Sequence, residues 1–312
     1  MTRETIGQMP DGRAIERLTL ASDPLEVQVL TLGATLEQVR FSGGPDLMAA
    51  IPLEERLKPN AYVGPIIAPV ANRLSGGTAE IAGRAHRFET NEHGQTTLHS
   101  GSTGTHVALW TVTRLDKDAA TLEIALEDGL GGFPGNRVVT VDYALRGAEI
   151  ALTITATTDA PALMNPAHHP YWSLGSGPGW DGHRLTVAAD RVLPVDDMTL
   201  PTGEVLDVTG TACDFRTPRV PDASLDHNFC LGDAPAEAPR FAARIDGDGY
   251  RLDVLTDAPG LQVFTGKPMG IPIEPQFWPD APRHPHFPPI TLAPGQTFRQ
   301  RTLYRLARTE AA

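Results

Sequence analysis

Glycine and proline set the strongest constraint on this chain. Thirty glycines and 28 prolines are dispersed through 312 residues rather than gathered in one region. Helix interiors tolerate neither residue, whereas turns between strands require them. The stretches between these breaks are short, alternating and rich in β-branched residues. They include Leu25–Leu32, Thr121–Leu126, Arg137–Leu145 and Glu149–Thr155, then Arg184–Ala188, Arg251–Leu255, Leu261–Thr265 and Phe298–Leu306. Alternation with a period of two, punctuated by turn residues, predicts antiparallel sheet. The best helical candidate is the short Leu53–Leu57 stretch, closed by Pro59. No βαβ rhythm, internal repeat, Ser/Gly linker or charge block divides the sequence. The expected fold is all-β: one large antiparallel β-sandwich with few short helices, spanning residues 1–312 as a single domain. Such a fold offers a ligand site on a concave sheet face or in loops at its rim.

Composition narrows the function. A hydrophobic fraction of 41% supports a packed core. No run of about 18 apolar residues exists, so neither a transmembrane helix nor a membrane partner is expected. The opening MTRETIGQMPDGR lacks a basic segment followed by an apolar run, which points to the cytoplasm. Two cysteines, Cys213 and Cys230, cannot build a disulfide framework and are expected to be small apolar fillers. A formal charge of −12 argues against nucleic acid as a partner and leaves neutral polar ligands open. Oligomeric state has no signature here.

Five segments place charged or imidazole side chains among Gly, Pro and aromatic residues: GPIIAPVANRLSGG (64–77), TLHSGSTGTH (97–106), NPAHHPYWSL (165–174), DHNFCL (226–231) and IPIEPQFWPDAPRHP (271–285). Glu274 stands in apolar and aromatic company, where lost hydration raises a carboxyl pKa and suits it to act as a general base. Its alternative is a salt bridge to one of many arginines. His168 and His169 point to opposite faces of an extended segment, so only one can share a pocket with Glu274. Histidine is the natural proton donor near neutrality, and a neighbouring carboxylate would raise its protonated fraction. Arg73 offers a fork of donors, Asn72 both donates and accepts, and His99 can hydrogen-bond a hydroxyl or ring oxygen. Asp226 can accept from a pair of sugar hydroxyls. Each of these also has a plain structural alternative as a strand cap or loop brace. No GxSxG elbow, P-loop or dinucleotide-binding GxGxxG is present. His284 and His286 could form half a metal site, but no third ligand at suitable spacing is evident.

Taken together and in order, the five segments resemble the aldose 1-epimerase, or galactose mutarotase, family. ANRLSGG is similar to that family's Asn-Arg segment, and TLHSG to its Leu-His-Gly-Gly segment. NPAHHPYWSL resembles the stretch carrying His-x-Tyr-Phe-Asn-Leu, and DHNF its Asp-His-Asn-Phe. IPIEPQFWPDAPRHP resembles Glu-x-Gln-x-x-Pro-Asp, while GGFPGN (131–136) and PGLQVFTG (259–266) are weaker likenesses. The resemblance implies a galactose mutarotase-like supersandwich. It also implies Glu274 as the base at the anomeric hydroxyl, and His169 as the acid at the ring oxygen. Arg73, Asn72, His99 and Asp226 would then be substrate-binding residues. Ser100 departs from the first glycine of the usual pair, Trp172-Ser173 replaces Phe-Asn, and Pro170 follows the acid. The implied activity is interconversion of α and β anomers of a free aldose by ring opening and reclosure. The base and acid would approach one pyranose from opposite sides, with neither metal nor organic cofactor. Rival readings are a sugar-binding β-sandwich without turnover, a mutarotase of a phosphorylated or sulfonated sugar, and a glycoside hydrolase pairing Glu274 with Asp226 or Asp280.

Overall fold

The alternating runs become strands whose ends differ from those expected by up to three residues, Leu25–Leu30 ending two short and Glu149–Thr158 running three longer. A computed structural model describes residues 2–309 except 176 and 178. Arg137–Arg146 and Glu149–Thr158 pair along their whole length, from Arg137 opposite Thr158 to Arg146 opposite Glu149. The tight turn at Gly147 joins them. Alternate side chains on the first of these, Val139, Val141, Tyr143 and Leu145, are buried, as expected for a sheet with one covered face.

These two strands sit in an eight-stranded antiparallel sheet. Its order is Thr111–Leu115, Ala119–Leu126, Arg137–Arg146, Glu149–Thr158, Phe298–Arg308, Tyr250–Thr256, Arg240–Gly247 and Arg184–Val187. A four-stranded meander runs through Thr2–Gln8, Ala14–Ser22, Leu25–Leu30 and Leu36–Phe41. A six-stranded sheet has the order Tyr171–Trp172, Ile271–Gln276, Gly260–Phe264, Asp226–Cys230, Arg191–Val192, Leu206–Asp207. All three contribute to one apolar cluster. Leu20, Val27 and Val39 come from the meander, Leu122, Val141 and Ile154 from the large sheet, and Phe229, Val263 and Ile273 from the six-stranded sheet. The architecture is a large antiparallel β-sandwich, as the sequence predicts.

The predicted helix is present as one turn, Leu53–Arg56. The main element that patterning does not reveal is Ile271–Gln276. It carries two prolines yet pairs on both sides, with Tyr171–Trp172 and with Gly260–Phe264. Proline ordinarily confines a strand to an edge because it cannot donate to the ladder. Here one neighbouring strand is only two residues long.

Period-two alternation in the six-stranded sheet separates core from site. Phe229, Leu261, Val263, Ile271 and Ile273 point into the apolar cluster. The intervening residues face the other way. Asn228 stands opposite Gln262, and Gln262 opposite Glu274. Asp226, one step along, stands opposite Phe264.

Candidate active site

That polar face forms the floor of a cavity of about 300 Å³ bordered by Asn72, Arg73, His99, His169, Asp226 and Glu274. These are the six residues singled out from sequence, drawn from five separate segments. The volume lies at the small end of ligand pockets, which suits a ligand of monosaccharide size.

His169 reaches the cavity because its main chain is pinned on both sides. Its N–H donates to the Pro65 carbonyl at 3.0 Å, and its carbonyl accepts from Gly64 N–H at 2.9 Å. Gly64 has φ +88°, and a Cβ there would lie 2.4 Å from the Leu36 carbonyl oxygen. Only glycine allows that approach. His168 points the opposite way, as extended geometry requires, with its Nδ1 2.9 Å from the Tyr304 hydroxyl.

His169 Nε2 lies 3.3 Å from Glu274 Oε1, and both side chains are buried. Glu274 and His169 therefore stand side by side, not across the cavity from one another. Burial raises the Glu274 pKa well above the ordinary carboxyl range, and the neighbouring charge of Asp226 adds to it. For His169, burial again dominates and pushes the pKa down to about 3. The sequence led us to expect the adjacent carboxylate to raise it. That carboxyl is itself desolvated, and burial shifts both groups toward their uncharged forms. Glu274 Oε2 is buried without a hydrogen-bond partner among the described residues.

A second structural unit carries the other ligands. Asn72, His99 and Ser100 all have left-handed backbone, with φ 60°, 51° and 66°. Two reciprocal hydrogen bonds hold this geometry: His99 N–H to the Asn72 carbonyl at 2.9 Å, and Asn72 N–H to His99 Nδ1 at 3.1 Å. Because Nδ1 accepts, the proton of neutral His99 resides on Nε2, leaving a hydrogen-bond donor. Burial holds the His99 pKa well below its ordinary value, so this tautomer persists. Left-handed backbone favours glycine, and Ser100 adopts it all the same. The serine hydroxyl accepts from Val70 N–H and donates to the Val70 carbonyl, both at 2.8 Å.

Arg73 differs from the free fork expected of it. Its Nε and Nη2 already donate to Glu92, at 2.8 and 2.9 Å. Its Nη1 lies 3.5 Å from Asp226. Gln262 donates to Asp226 Oδ1 from the other side. Asp226 is thus a fixed acceptor flanked by two donors. Asp280, the other carboxylate considered for hydrolysis, accepts from Ser75 N–H at 3.0 Å and does not border the cavity.

Sequence reading missed several wall residues. Tyr62 lies across the imidazoles of His99 and His106, with centroids 4.5 and 4.9 Å apart. Tyr171 stacks on His169 at 5.3 Å and 12° between planes. Lys267 borders the cavity and had no local signal, nor had Glu92, which does not border it and acts through Arg73. Gln262 lay in the weaker PGLQVFTG likeness, and only its cross-strand register with Glu274 exposes it.

Comparison with known proteins gives a consistent picture. A family model described as aldose 1-epimerase matches residues 16–305. The galactose mutarotase of Bos taurus is 33% identical, covering 98% of each chain. The aldose 1-epimerase of Escherichia coli K12 is 28% identical, covering 98% of this chain and 99% of that one. Among solved structures, galactose 1-epimerase from Lactobacillus acidophilus superposes with a TM-score of 0.85 at 25% identity, covering 99% of both chains.

Proposed function

The chain belongs to the aldose 1-epimerase family and is an isomerase of that type; from this premise we propose that it interconverts the α and β anomers of a free aldose, with Glu274 as base and His169 as acid. The observation that carries the reading is the 3.3 Å contact between these two buried groups on the floor of the cavity. O1 and O5 of a pyranose are bonded to the same carbon, so a base and an acid that stand side by side can serve both.

Sugar hydroxyls entering the cavity solvate the carboxylate, and the carboxyl proton passes to His169. Glu274 then takes the proton of the O1 hydroxyl while His169 Nε2 protonates O5. The O1–H electron pair becomes the C1=O double bond, and the C1–O5 pair leaves with O5. Charge on the pair is annihilated in this step. The products, a neutral acid and a neutral imidazole, are the forms from which the proton moved, so ring opening returns the pair to its starting protonation state. General acid and base catalysis of this kind typically contributes about 10²–10⁴-fold for each group. After rotation about C1–C2, His169 recovers the proton from the C5 hydroxyl and Glu274 returns one to O1 as the ring closes on the other face. His99 Nε2–H donates to a ring or hydroxyl oxygen, and Asp226 accepts from hydroxyls. Asn72 and Arg73 Nη1 complete the clamp that holds the open aldehyde.

A single domain is supported by the large sheet, which draws strands from Thr111–Leu115 through Phe298–Arg308. A second reading, a mutarotase of a phosphorylated or sulfonated sugar, is favoured by Lys267, which borders the cavity and is otherwise exposed. Polarimetry or NMR on freshly dissolved pure anomers tests both. Faster anomerisation of α-galactose or α-glucose supports the first. Acceleration confined to phosphorylated or sulfonated sugars supports the second, and binding without acceleration contradicts catalysis.

A further inference from the structure

We propose that a one-water binding site lies directly behind the sugar-facing wall, and that Asn228 is the positioning residue that holds it. Asn228 sits on the same sheet face as the proposed base, opposite Gln262, which is itself opposite Glu274. It is 2% exposed, and neither its amide nitrogen nor its amide oxygen has a hydrogen-bond partner among the described residues. A buried primary amide left in that condition is strongly unfavourable.

Asn228 borders a second chamber of about 10 Å³, shared with Asn72, Asp226 and Gln262 and lined also by Leu193, Thr199 and Pro279. That is roughly the space one water molecule occupies, and polar groups surround it in the number a buried water needs. Glycine at position 260 keeps the amide in place, because a Cβ there would lie 2.7 Å from Asn228 Oδ1.

Asn72, Asp226 and Gln262 border both the chamber and the sugar cavity. The wall is one side chain thick, with sugar in front and the water behind. A water hydrogen-bonded to Asn228 and to Asp226 or Gln262 fixes the carboxylate and amide in the orientation that receives sugar hydroxyls. Those hydroxyls are bound alike before and during ring opening, so the water acts on KM rather than kcat. This consequence rests on the reading of the larger cavity as a sugar site; the water site does not.

A high-resolution crystal structure of the wild-type protein is expected to show one ordered water in the chamber, bonded to Asn228 and to at least one of Asn72, Asp226 and Gln262. Asn228→Leu should lose that water and raise KM about five- to tenfold, the worth of one net hydrogen bond, with kcat within about twofold. Asn228→Ser, which keeps a hydroxyl, should restore most of the difference. A dry chamber in the wild-type crystal overturns the proposal even if Asn228→Leu fails to fold. Unchanged KM in a folded Asn228→Leu, or a fall in kcat alone, overturns the positioning role. Wild-type protein that contains the water yet anomerises no aldose overturns the sugar reading instead.

Discussion

The two buried side chains that meet on the cavity floor are governed by desolvation more than by each other's charge. Glu274 and His169 touch, yet burial moves them in opposite directions, up and down respectively. The acid limb of kcat/KM against pH should therefore lie well below 6.5, the ordinary histidine value. An acid limb centred near 6.5 would show that the imidazole titrates as if exposed. Stability follows from the same linkage. A carboxyl whose folded pKa is raised is fully accommodated below its unfolded value of about 4.5, and its contribution is lost as pH rises toward the folded value. Replacing Glu274 by Gln should thus raise Tm by a few degrees at neutral pH, with the gain shrinking as pH falls through the ordinary carboxylate range. Calorimetry of both proteins at several pH values measures this.

At the scale of elements, the paired left-handed residues Asn72 and His99, with Ser100 beside them, show how local strain is stored and held at the site. Ser100→Ala removes two buried hydrogen bonds to Val70 while keeping the strained backbone, and should cost about 1–3 kcal/mol. Ser100→Gly loses the same bonds but relaxes the backbone, so its cost should be smaller. Denaturant unfolding that ranks the two the other way would contradict this account. Elements also decide what was legible in advance. The strands Arg137–Arg146, Glu149–Thr158 and Phe298–Arg308 could be read because one buried face imposes a strict period of two. Ile271–Gln276 could not, since its prolines mask the same alternation. Glu274 was legible as a carboxylate among apolar neighbours, whereas Glu92 was not, because its role depends on Arg73 nineteen residues away.

The whole molecule is closed by its last strand. Phe298–Arg308 lies between Glu149–Thr158 and Tyr250–Thr256, joining the two halves of the eight-stranded sheet. Truncation before Phe298 should leave both partners with bare edges and abolish cooperative unfolding, which circular dichroism would reveal. An intact thermal transition in that truncation would contradict the role given to this strand. Pairing of Tyr171–Trp172 with Ile271–Gln276 in the six-stranded sheet brings position 169 and position 274 to one cavity, and that convergence is what the proposed chemistry needs. Its most direct test is the rate of anomer exchange by polarimetry on the wild type, Glu274→Gln and His169→Asn, with folding checked in each. The account predicts that each replacement lowers kcat/KM by at least about 10²-fold while the fold is retained. Near-wild-type exchange in either folded variant would contradict it.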